Sequence, residues 1–235
     1  MDTFIGRRHQ SLGEVADAVQ LPKSTTHRLL MTLESRGYIT SVHGESGMYK
    51  IGLKGLWFTT ARTRIHHQLE KLASLTGETV NLGAVTGTEI EYVDRVLSEH
   101  ALRWGVDIGS RIPLHCSALG KCVLAYRDDL FPRLVELPKR TAKTVTDSVE
   151  LKAHLEVIRH RGYAFEDEEF IEGVLCIAAP VRDDHGEVVG AVSVSGPGVR
   201  FTKEIAIGFA EQVIAVAESV SYSIGYHVQS NKEDA

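Results

Sequence analysis

Two serines near the end of the chain have the spacing expected of a ligand-binding pair. Ser193 and Ser195 alternate within a hydrophobic run that is typical of a β-strand, so both hydroxyl groups face the same side of the sheet. Val192 and Val194 then face the opposite side, where they enter an apolar core. The paired hydroxyls predict a small polar pocket, although strand serines also satisfy their hydroxyls locally through the backbone or water.

A predicted helix start offers a second polar feature. Ser117 is placed to cap a helix that runs to about Tyr126, and the N–H groups of its first turn favour an anion. Gly120 in that turn would let a ligand approach closely. Together with the two serines, this helix start suits a carboxylate with an adjacent oxo or hydroxyl group, or an aromatic acid in a wider pocket.

Three other clusters contain reactive residue types, but their spacing argues against chemistry. The four carboxylates of Glu166–Glu169 would have to converge to hold a metal ion, whereas such a run at a strand-to-helix junction usually caps the helix or is solvated. His115 and Cys116 are adjacent and point to opposite faces of a strand, so the imidazole cannot readily activate the thiol. His66 and His67 diverge on a helix. We therefore expect no catalytic residue, metal or cofactor.

A polar, basic helix near the N-terminus carries side chains suited to nucleic acid. Lys23 and Ser24 lie at its first turn, where phosphates are bound. Thr25, His27 and Arg28 follow and could reach base edges or the backbone. The pattern predicts a DNA-binding helix, and the alternative is a solvated helix on a domain that binds protein.

The elements around this helix predict a winged helix-turn-helix. Residues 11–21 form a first short helix that opens with a capping-box pattern, Ser11 followed by Glu14. The second helix ends at Gly37, and two short strands then form a wing whose tip carries His43, which could touch the flanking DNA backbone. The apolar face of the second helix is expected to contain Leu29, Leu30 and Leu33.

The rest of the chain predicts a linker helix and a mixed domain. The segment from Leu53 to Leu75 has helical periodicity, with Leu56, Ile65, Leu69, Leu72 and Ala73 on its apolar side. Further helices are expected over residues 117–126, 149–161 and 203–226. Strands are expected over residues 79–85, 89–96, 102–106, 163–166, 174–181 and 188–195. Strands joined by hairpins and flanked by helices indicate an α+β fold with a mainly antiparallel sheet.

Length and composition narrow the class of protein. The 235 residues are enough for two small domains, and 43% hydrophobic and 24% charged residues are ordinary globular values. Residues 1–58 carry seven lysines and arginines against five acids, whereas the remainder is acidic, which favours a nucleic-acid end and a separate body. Three scattered cysteines and the absence of a signal peptide or long apolar stretch predict a cytoplasmic protein with reduced thiols.

The motifs, taken in order, resemble the isocitrate lyase regulator (IclR) family of bacterial transcription factors. The resemblance covers nearly the whole chain. The matching segments are SLGEVADAVQLPKSTTHRLLMTLESRGYI, YKIG, LASLTGETVNL, GSRIPLHCSALGKCVLA, IRHRGYAFEDEEFIEGVLCIAAPVRDDHGEVVGAVSVSGP and SYSIG. The resemblance implies a winged helix-turn-helix followed by a GAF/PAS-like effector-binding domain, assembled as a homodimer or homotetramer.

The resemblance also implies the position of an effector pocket. In the family a small organic acid lies in a pocket of the sheet. Matching positions here are Ala118, Leu119, Glu166, Cys176, Ser193 and Ser195. Many members have a shorter acid where this chain has Glu166, which would narrow the pocket or accept a hydrogen bond from the effector.

Two features depart from the family pattern. A full first helix normally precedes the SLGEVA segment, whereas here about ten residues precede Ser11. The stretch between YKIG and LASLTGE is also shorter than usual, by about two helical turns. We call residues 1–58 the head and residues 75–227 the body. Only Phe4 and Ile5 are large apolar residues upstream of Ser11, so we expect the apolar core of the head to be less completely covered, and the head to be less stable than the body.

The sequence therefore predicts an effector-responsive transcriptional regulator, more often a repressor, of a catabolic operon. Residues 1–58 would bind a pseudo-palindromic operator, 59–74 would form a linker helix, 75–227 would bind a small carboxylate and self-associate, and 228–235 would form a polar tail. Two alternatives belong to other classes of protein. One is a small-molecule enzyme with an accessory winged helix, for which no nucleophile, base and orienting group can be assembled. The other is a protein-interaction adaptor.

Overall fold

The structure, a computed structural model, describes residues 2–4, 9–42, 45–55 and 61–226. The first part is a helix-turn-helix, with α1 at Leu12–Val19 and α2 at Lys23–Ser35. The predicted capping box is confirmed, since Ser11 Oγ accepts from the Glu14 N–H at 3.2 Å and the Glu14 carboxylate accepts from the Ser11 N–H at 2.7 Å.

Three short strands complete the winged helix. β1 (Gln10–Ser11), β2 (Ile39–Ser41) and β3 (Met48–Ile51) form an antiparallel sheet in the order β1-β3-β2. The core of the head lies between this sheet and the two helices. It contains Phe4, Val15, Leu30, Ile39 and Tyr49. Phe4 reaches this core from a 3₁₀ turn at Asp2–Phe4 and is only 3% exposed. This turn therefore covers part of the core that a longer N-terminal helix would cover in other members of the family. Ile5 lies outside the described residues.

The expected apolar face of α2 is partly wrong. Leu30 is buried and Leu33 packs against the core, but Leu29 is 49% exposed. Adjacent residues on a helix are about 100° apart, so Leu29 and Leu30 cannot both face a core this small.

The linker helix is shorter at its start than predicted. α3 spans Ala61–Thr76, and Leu53 lies in a turn before it, while Leu56 is outside the described residues. The predicted apolar side is confirmed for Ile65, Leu69, Leu72 and Ala73, which are buried. These four side chains belong to the same hydrophobic core as one face of the body's sheet, so α3 is an integral part of the body.

The body is built on a six-stranded antiparallel sheet in the order β6-β5-β4-β9-β8-β7. The strands are β4 (Thr79–Thr86), β5 (Glu89–Val96), β6 (Arg111–Pro113), β7 (Ala164–Asp167), β8 (Val174–Arg182) and β9 (Val188–Pro197). The α+β class and the antiparallel sheet are as predicted from the hairpin pattern.

The predicted strand over residues 102–106 is wrong. The segment is irregular, and β6 pairs with β5 at the sheet edge instead. The carbonyls of the segment are bound by side chains: Thr79 Oγ1 donates to Trp104 O at 2.7 Å, and the Arg95 guanidinium donates to Val106 O. In this segment, these side-chain bonds take the place of the backbone hydrogen bonds that a β-strand would form.

Helices cover both faces of the sheet. One face packs against α3, α6 (Lys203–Gly208) and α7 (Ala210–Ser223), and the other against α4 (Ala118–Leu124) and α5 (Ser148–Arg161). The single final helix predicted over residues 203–226 is two helices, because the chain breaks at Phe209, which caps the C-terminus of α6. Within the described ranges, no helix has both the length and the apolar character needed to cross a membrane.

Candidate functional site

The first candidate site is the outer face of α2. Five predicted DNA-binding residues lie on this helix and are all exposed: Lys23, Ser24, Thr25, His27 and Arg28. Thr26 is the exception within the run, because its side chain points inward and its hydroxyl donates to the Pro22 carbonyl at 3.1 Å. The start of α2 thus keeps its polar side chains available for a partner. The sixth predicted residue, His43, lies outside the described residues.

The two positively charged side chains on this face, Lys23 and Arg28, are available to bind a partner. Neither Lys23 nor Arg28 forms an ion pair with any residue that the structure describes. A cation without an internal partner can neutralise a phosphate without first breaking a bond within the protein.

Sequence reasoning missed the apolar part of this face. A shallow groove runs along α2 and is lined by Thr25, His27, Arg28, Leu29, Met31 and Thr32. Leu29 and Met31 are each 49% exposed there. The adjacent leucines at 29 and 30 were the available signal, since one of the two had to face outward. Apolar side chains of this kind can contact the methyl group of thymine.

The second candidate site is a small cavity in the body. It is lined by Tyr92, Trp104, Ile112, Ser117, Ala118, Leu119, Glu166, Phe170, Ile171, Val174, Cys176, Ser193 and Ser195. All six residues that the family resemblance placed in an effector pocket are in this set. They come from helix α4 and from β7, β8 and β9, which are neighbours in the sheet and lie about 40 or more residues after α4 in the sequence.

Strand register explains how the polar side chains meet. Glu166 pairs with Cys176 between β7 and β8, and Cys176 pairs with Ser195 between β8 and β9. Cys176 Sγ lies 3.1 Å from Ser195 Oγ. Residues paired across neighbouring strands point to the same face, so the carboxyl, thiol and hydroxyl groups form one polar row. The predicted orientation of the two serines, opposite to the buried Val192 and Val194, is confirmed.

Asn81 joins this row and was not predicted. It pairs with Ser193 between β4 and β9, and its side-chain N–H donates to Ser193 Oγ at 3.5 Å and to Ser195 Oγ at 3.4 Å. Its Oδ1 atom is buried and has no hydrogen-bond partner among the described residues. A buried acceptor of this kind favours a ligand that donates a hydrogen bond. An isolated asparagine inside a strand pattern gives no sequence signal for this role.

Glu166 is held in an unusual environment at the edge of the cavity. Its carboxylate accepts from the backbone N–H groups of Glu169 and Phe170, the latter at 3.1 Å. Burial outweighs these bonds and raises the pKa of Glu166 to about 7. This carboxyl group is therefore partly protonated near neutral pH.

The acidic run behaves as separate groups. No helix begins after Glu166–Glu169, so the expected helix capping is wrong, and Glu166 instead closes a turn onto backbone N–H groups. Asp167 and Glu168 both bind Lys143, at 3.0 and 2.8 Å. Glu169 forms a buried ion pair with Lys121 of α4. The four carboxylates are thus divided among backbone N–H groups, Lys143 and Lys121, and they do not converge on one point.

The start of α4 differs in one detail from the sequence prediction. Ser117 caps the helix as expected, because its hydroxyl accepts from the Gly120 N–H at 3.1 Å. Gly120, however, does not leave room for a ligand. A Cβ atom at this position would lie 2.4 Å from the Leu114 backbone, so the glycine is required by chain packing.

Aromatic and aliphatic walls close the cavity. Tyr92 and Trp104 lie beside the polar row, and burial raises the pKa of Tyr92 well above its ordinary value. The cavity has a volume of about 20 Å³, which is room for about one water molecule. A larger ligand therefore requires these walls to move. Trp104 lies in the irregular segment before β6, which is the least regular wall of the cavity.

The other cysteines and histidines that the sequence analysis considered lie outside both candidate sites. Burial raises the pKa of Cys116 and of Cys122 to about 12, so neither thiol ionises at neutral pH. His115 Nε2 bonds to the Pro138 carbonyl at 3.0 Å. His66 and His67 bond to separate carboxylates, Asp94 at 2.8 Å and Glu70 at 3.3 Å.

Comparison with known proteins agrees with this architecture. Residues 1–43 match the IclR helix-turn-helix domain, and residues 59–222 match the domain described as bacterial transcriptional regulator IclR C-terminal. The chain is 36% identical over 228 residues to the transcriptional repressor IclR of Escherichia coli K12, covering 92% of this chain and 83% of that protein. It is 34% identical over 232 residues to the HTH-type transcriptional regulator KdgR of Dickeya chrysanthemi, covering 94% and 75%.

A solved structure extends the similarity to three dimensions. The crystal structure of the Thermotoga maritima IclR aligns with a TM-score of 0.68 and 30% identity, covering 96% of this chain and 95% of that chain. Proteins of this group are transcriptional regulators and not enzymes, and they bind operator DNA through the helix-turn-helix. The exposed basic helix, the winged head and the polar cavity of the body are thus those of a DNA-binding transcriptional regulator, and the chain belongs to the IclR family.

Proposed function

We propose that this regulator responds to a small carboxylate with an adjacent oxo or hydroxyl group, bound in the cavity at Ala118, Leu119, Glu166, Cys176, Ser193 and Ser195. The convergence of these residues from four elements is the observation that carries the proposal. The serine hydroxyls can donate to a carboxylate, and the Asn81 side-chain N–H donates to both serine oxygens from outside the cavity lining.

The DNA part of the proposal assigns two kinds of contact. Lys23 and Ser24 bind phosphates, and Thr25, His27, Arg28 and the wing residue His43 contact bases or the flanking backbone. Two heads of a homodimer or homotetramer then read a pseudo-palindromic operator. Repression fits the similarity to the Escherichia coli repressor. Binding of the acid favours one arrangement of the heads, and DNA changes the affinity for the acid by the same factor.

The remaining assignments follow from this proposal. Residues 1–58 bind DNA, 59–74 link the two parts, and 75–227 bind the effector and self-associate. The predicted polar tail, 228–235, lies outside the described residues. The protein acts in the cytoplasm, where its operator and a catabolic acid are both present.

The effector site is tested with the full chain and a panel of small 2-oxo and 2-hydroxy acids. Thermal stabilisation identifies the acid that binds, and calorimetry then compares the wild type with the Ser193→Ala/Ser195→Ala double variant. Each lost hydrogen bond to a charged group is worth about 1.5–3 kcal/mol, so the double variant should bind at least tenfold more weakly. Retained affinity would place the site elsewhere.

The DNA face is tested by titrating operator DNA at several salt concentrations. Arg28→Ala should cost about 1–3 kcal/mol if Arg28 reads a base. Lys23→Ala should reduce the slope of log affinity against log salt by about one, because one phosphate contact is lost. Arg133→Ala, on the body, is the matched control. Unchanged affinity and slope in both α2 variants would show that another face binds DNA.

A further inference from the structure

A cluster of three side chains joins the head to the body. His9 lies just before β1 and contacts the turn between β8 and β9. His9 Nε2 is 3.5 Å from Asp184 Oδ2, and His185 Nε2 is 3.9 Å from Asp184 Oδ1. The two imidazole rings are stacked, with centroids 5.8 Å apart and an angle of 24° between their planes. Neither the DNA face nor the effector cavity uses these residues.

The geometry of the three ligand atoms is close to that of a metal site. One nitrogen of each histidine and one carboxylate oxygen all lie within 4.8 Å of one another. Ligand atoms about 2.0–2.2 Å from a zinc ion are about 3.5 Å apart in a tetrahedral site, so contraction by about 1 Å brings these atoms into range. Side-chain rotation alone supplies such a shift. Within the described parts of the chain, this is the one group of three such residues that meets that distance.

The surrounding residues orient the carboxylate. Lys50 Nζ binds Asp184 Oδ1 at 2.5 Å, which leaves Asp184 Oδ2 directed towards His9. Asp183 Oδ1 accepts from the backbone N–H groups of His185 and Glu187, at 2.9 and 3.0 Å, and so fixes the turn that presents His185. Residues that hold metal-ligating side chains in a fixed orientation by hydrogen bonds raise the affinity of a site for its metal.

The charges in the cluster also favour a cation. Lys50 is paired with both Asp183 and Asp184, so one positive charge faces two negative ones and the net charge is negative when the histidines are neutral. Two imidazoles and one carboxylate form the ligand type preferred by divalent transition metals and disfavoured by magnesium.

We propose that His9, Asp184 and His185 bind a divalent transition-metal ion, and that the ion fastens the head to the body. His9 belongs to the head and the other two ligands belong to the body, so one bound ion links the two parts directly. Water fills the remaining coordination position on the solvent side, where His185 is exposed.

The test uses the full chain without an affinity tag and Zn²⁺ as the probe. Calorimetry should give one bound equivalent, and His9→Ala and His185→Ala should each weaken that binding at least tenfold. His67→Ala, which removes an exposed histidine on α3, is the matched control and should leave the affinity unchanged. Mg²⁺ should not compete, and Co²⁺ should give visible absorption bands that both cluster variants lose.

The bridging role has its own measurement. Zn²⁺ should slow hydrogen exchange in β1, in β3 and in the turn between β8 and β9 of the wild type, but not in His9→Ala. His185 is the more exposed ligand, so His185→Ala keeps the test valid if His9→Ala fails to fold. Zinc binding that is absent from the wild type, or equal in all variants, would overturn the proposal. Binding that needs His185 but not His9 would also overturn it, because the ion would not bridge.

Discussion

At the scale of single residues, Glu166 shows how position changes chemistry. A free glutamate is ionised at neutral pH, but this carboxyl group is buried beside Cys176 and the serines of β9. Two backbone N–H groups stabilise its charged form and burial destabilises it, and burial has the larger effect. Glu166 therefore places a titrating carboxyl group in the wall of the cavity.

Glu166→Gln should change how stability depends on pH. The folded pKa, about 7, lies above the unfolded value near 4.5, so the folded wild type binds the extra proton between these values. The wild type therefore loses stability as pH rises through this window, and the uncharged variant does not. Between pH 5 and 8 the difference between the two proteins should change by roughly 2–3 kcal/mol in favour of the variant.

Urea unfolding at pH 5 and pH 8 measures this difference, because all other titrating groups are common to both proteins. The amide keeps an oxygen that accepts from the Glu169 and Phe170 N–H groups, so the turn is preserved. Parallel stability curves for the two proteins would mean that Glu166 is ionised throughout the range.

At the scale of elements, α4 is positioned by contact with the backbone that precedes it. Gly120 lies against Leu114, and the helix carries the buried Lys121 and the cavity residues Ala118 and Leu119. The same glycine therefore sets the distance between the helix and the polar row of the sheet. The width of the cavity depends on this distance, although Gly120 does not line the cavity.

Gly120→Ala should destabilise the protein despite the better helix propensity of alanine. The added Cβ atom would be 2.4 Å from Leu114 backbone atoms, so α4 must shift, at a cost of about 1–3 kcal/mol or more. Gly208→Ala is the matched control, because no neighbouring atom lies within 4 Å of its Cβ position. This control should be neutral or stabilised by up to about 1 kcal/mol. Thermal unfolding of both variants measures the contrast, and equal effects would contradict it.

At the scale of the whole molecule, charged contacts fasten the head to the body. Lys50 of β3 pairs with Asp183 and Asp184 at 2.7 and 2.5 Å, and all three side chains are at most 10% exposed. Lys54 adds a second contact, 2.6 Å from Glu91 of β5. Both lysines belong to the wing and the segment after it, so these ion pairs connect the head directly to the body.

Lys50→Met should release the head from the body. The substitution leaves two carboxylates buried without their cation, and breaking a buried pair costs about 3–5 kcal/mol. Detaching the head exposes those carboxylates to water, so hydrogen exchange should accelerate in β1–β3 and remain slow in β4 and β9. Lys143→Met is the matched control, because Lys143 also binds two carboxylates but is 48% exposed, and it should change little. Uniform acceleration in both parts would indicate global unfolding instead.

Features that depend on neighbouring residues could be predicted from the amino-acid sequence. The capping box at Ser11 and Glu14, the cap at Ser117 and the opposite orientations of the serines and valines in β9 all follow from local geometry. Most helix and strand bounds agree within two or three residues for the same reason. The order of motifs along the chain was also enough to indicate the family, and the six residues predicted for the effector pocket line one cavity.

Contacts between groups that are distant in sequence could be identified only in the folded chain. Asn81 faces Ser193 because β4 pairs with β9, and Trp104 closes the cavity because its carbonyl is held by Thr79 and not by a strand. Lys50 reaches the turn between β8 and β9 only in the folded chain. Strand pairing and ion pairs between distant segments depend on how all elements pack together. The spacing of residues within one segment predicts only the local structure of that segment and therefore does not predict these contacts.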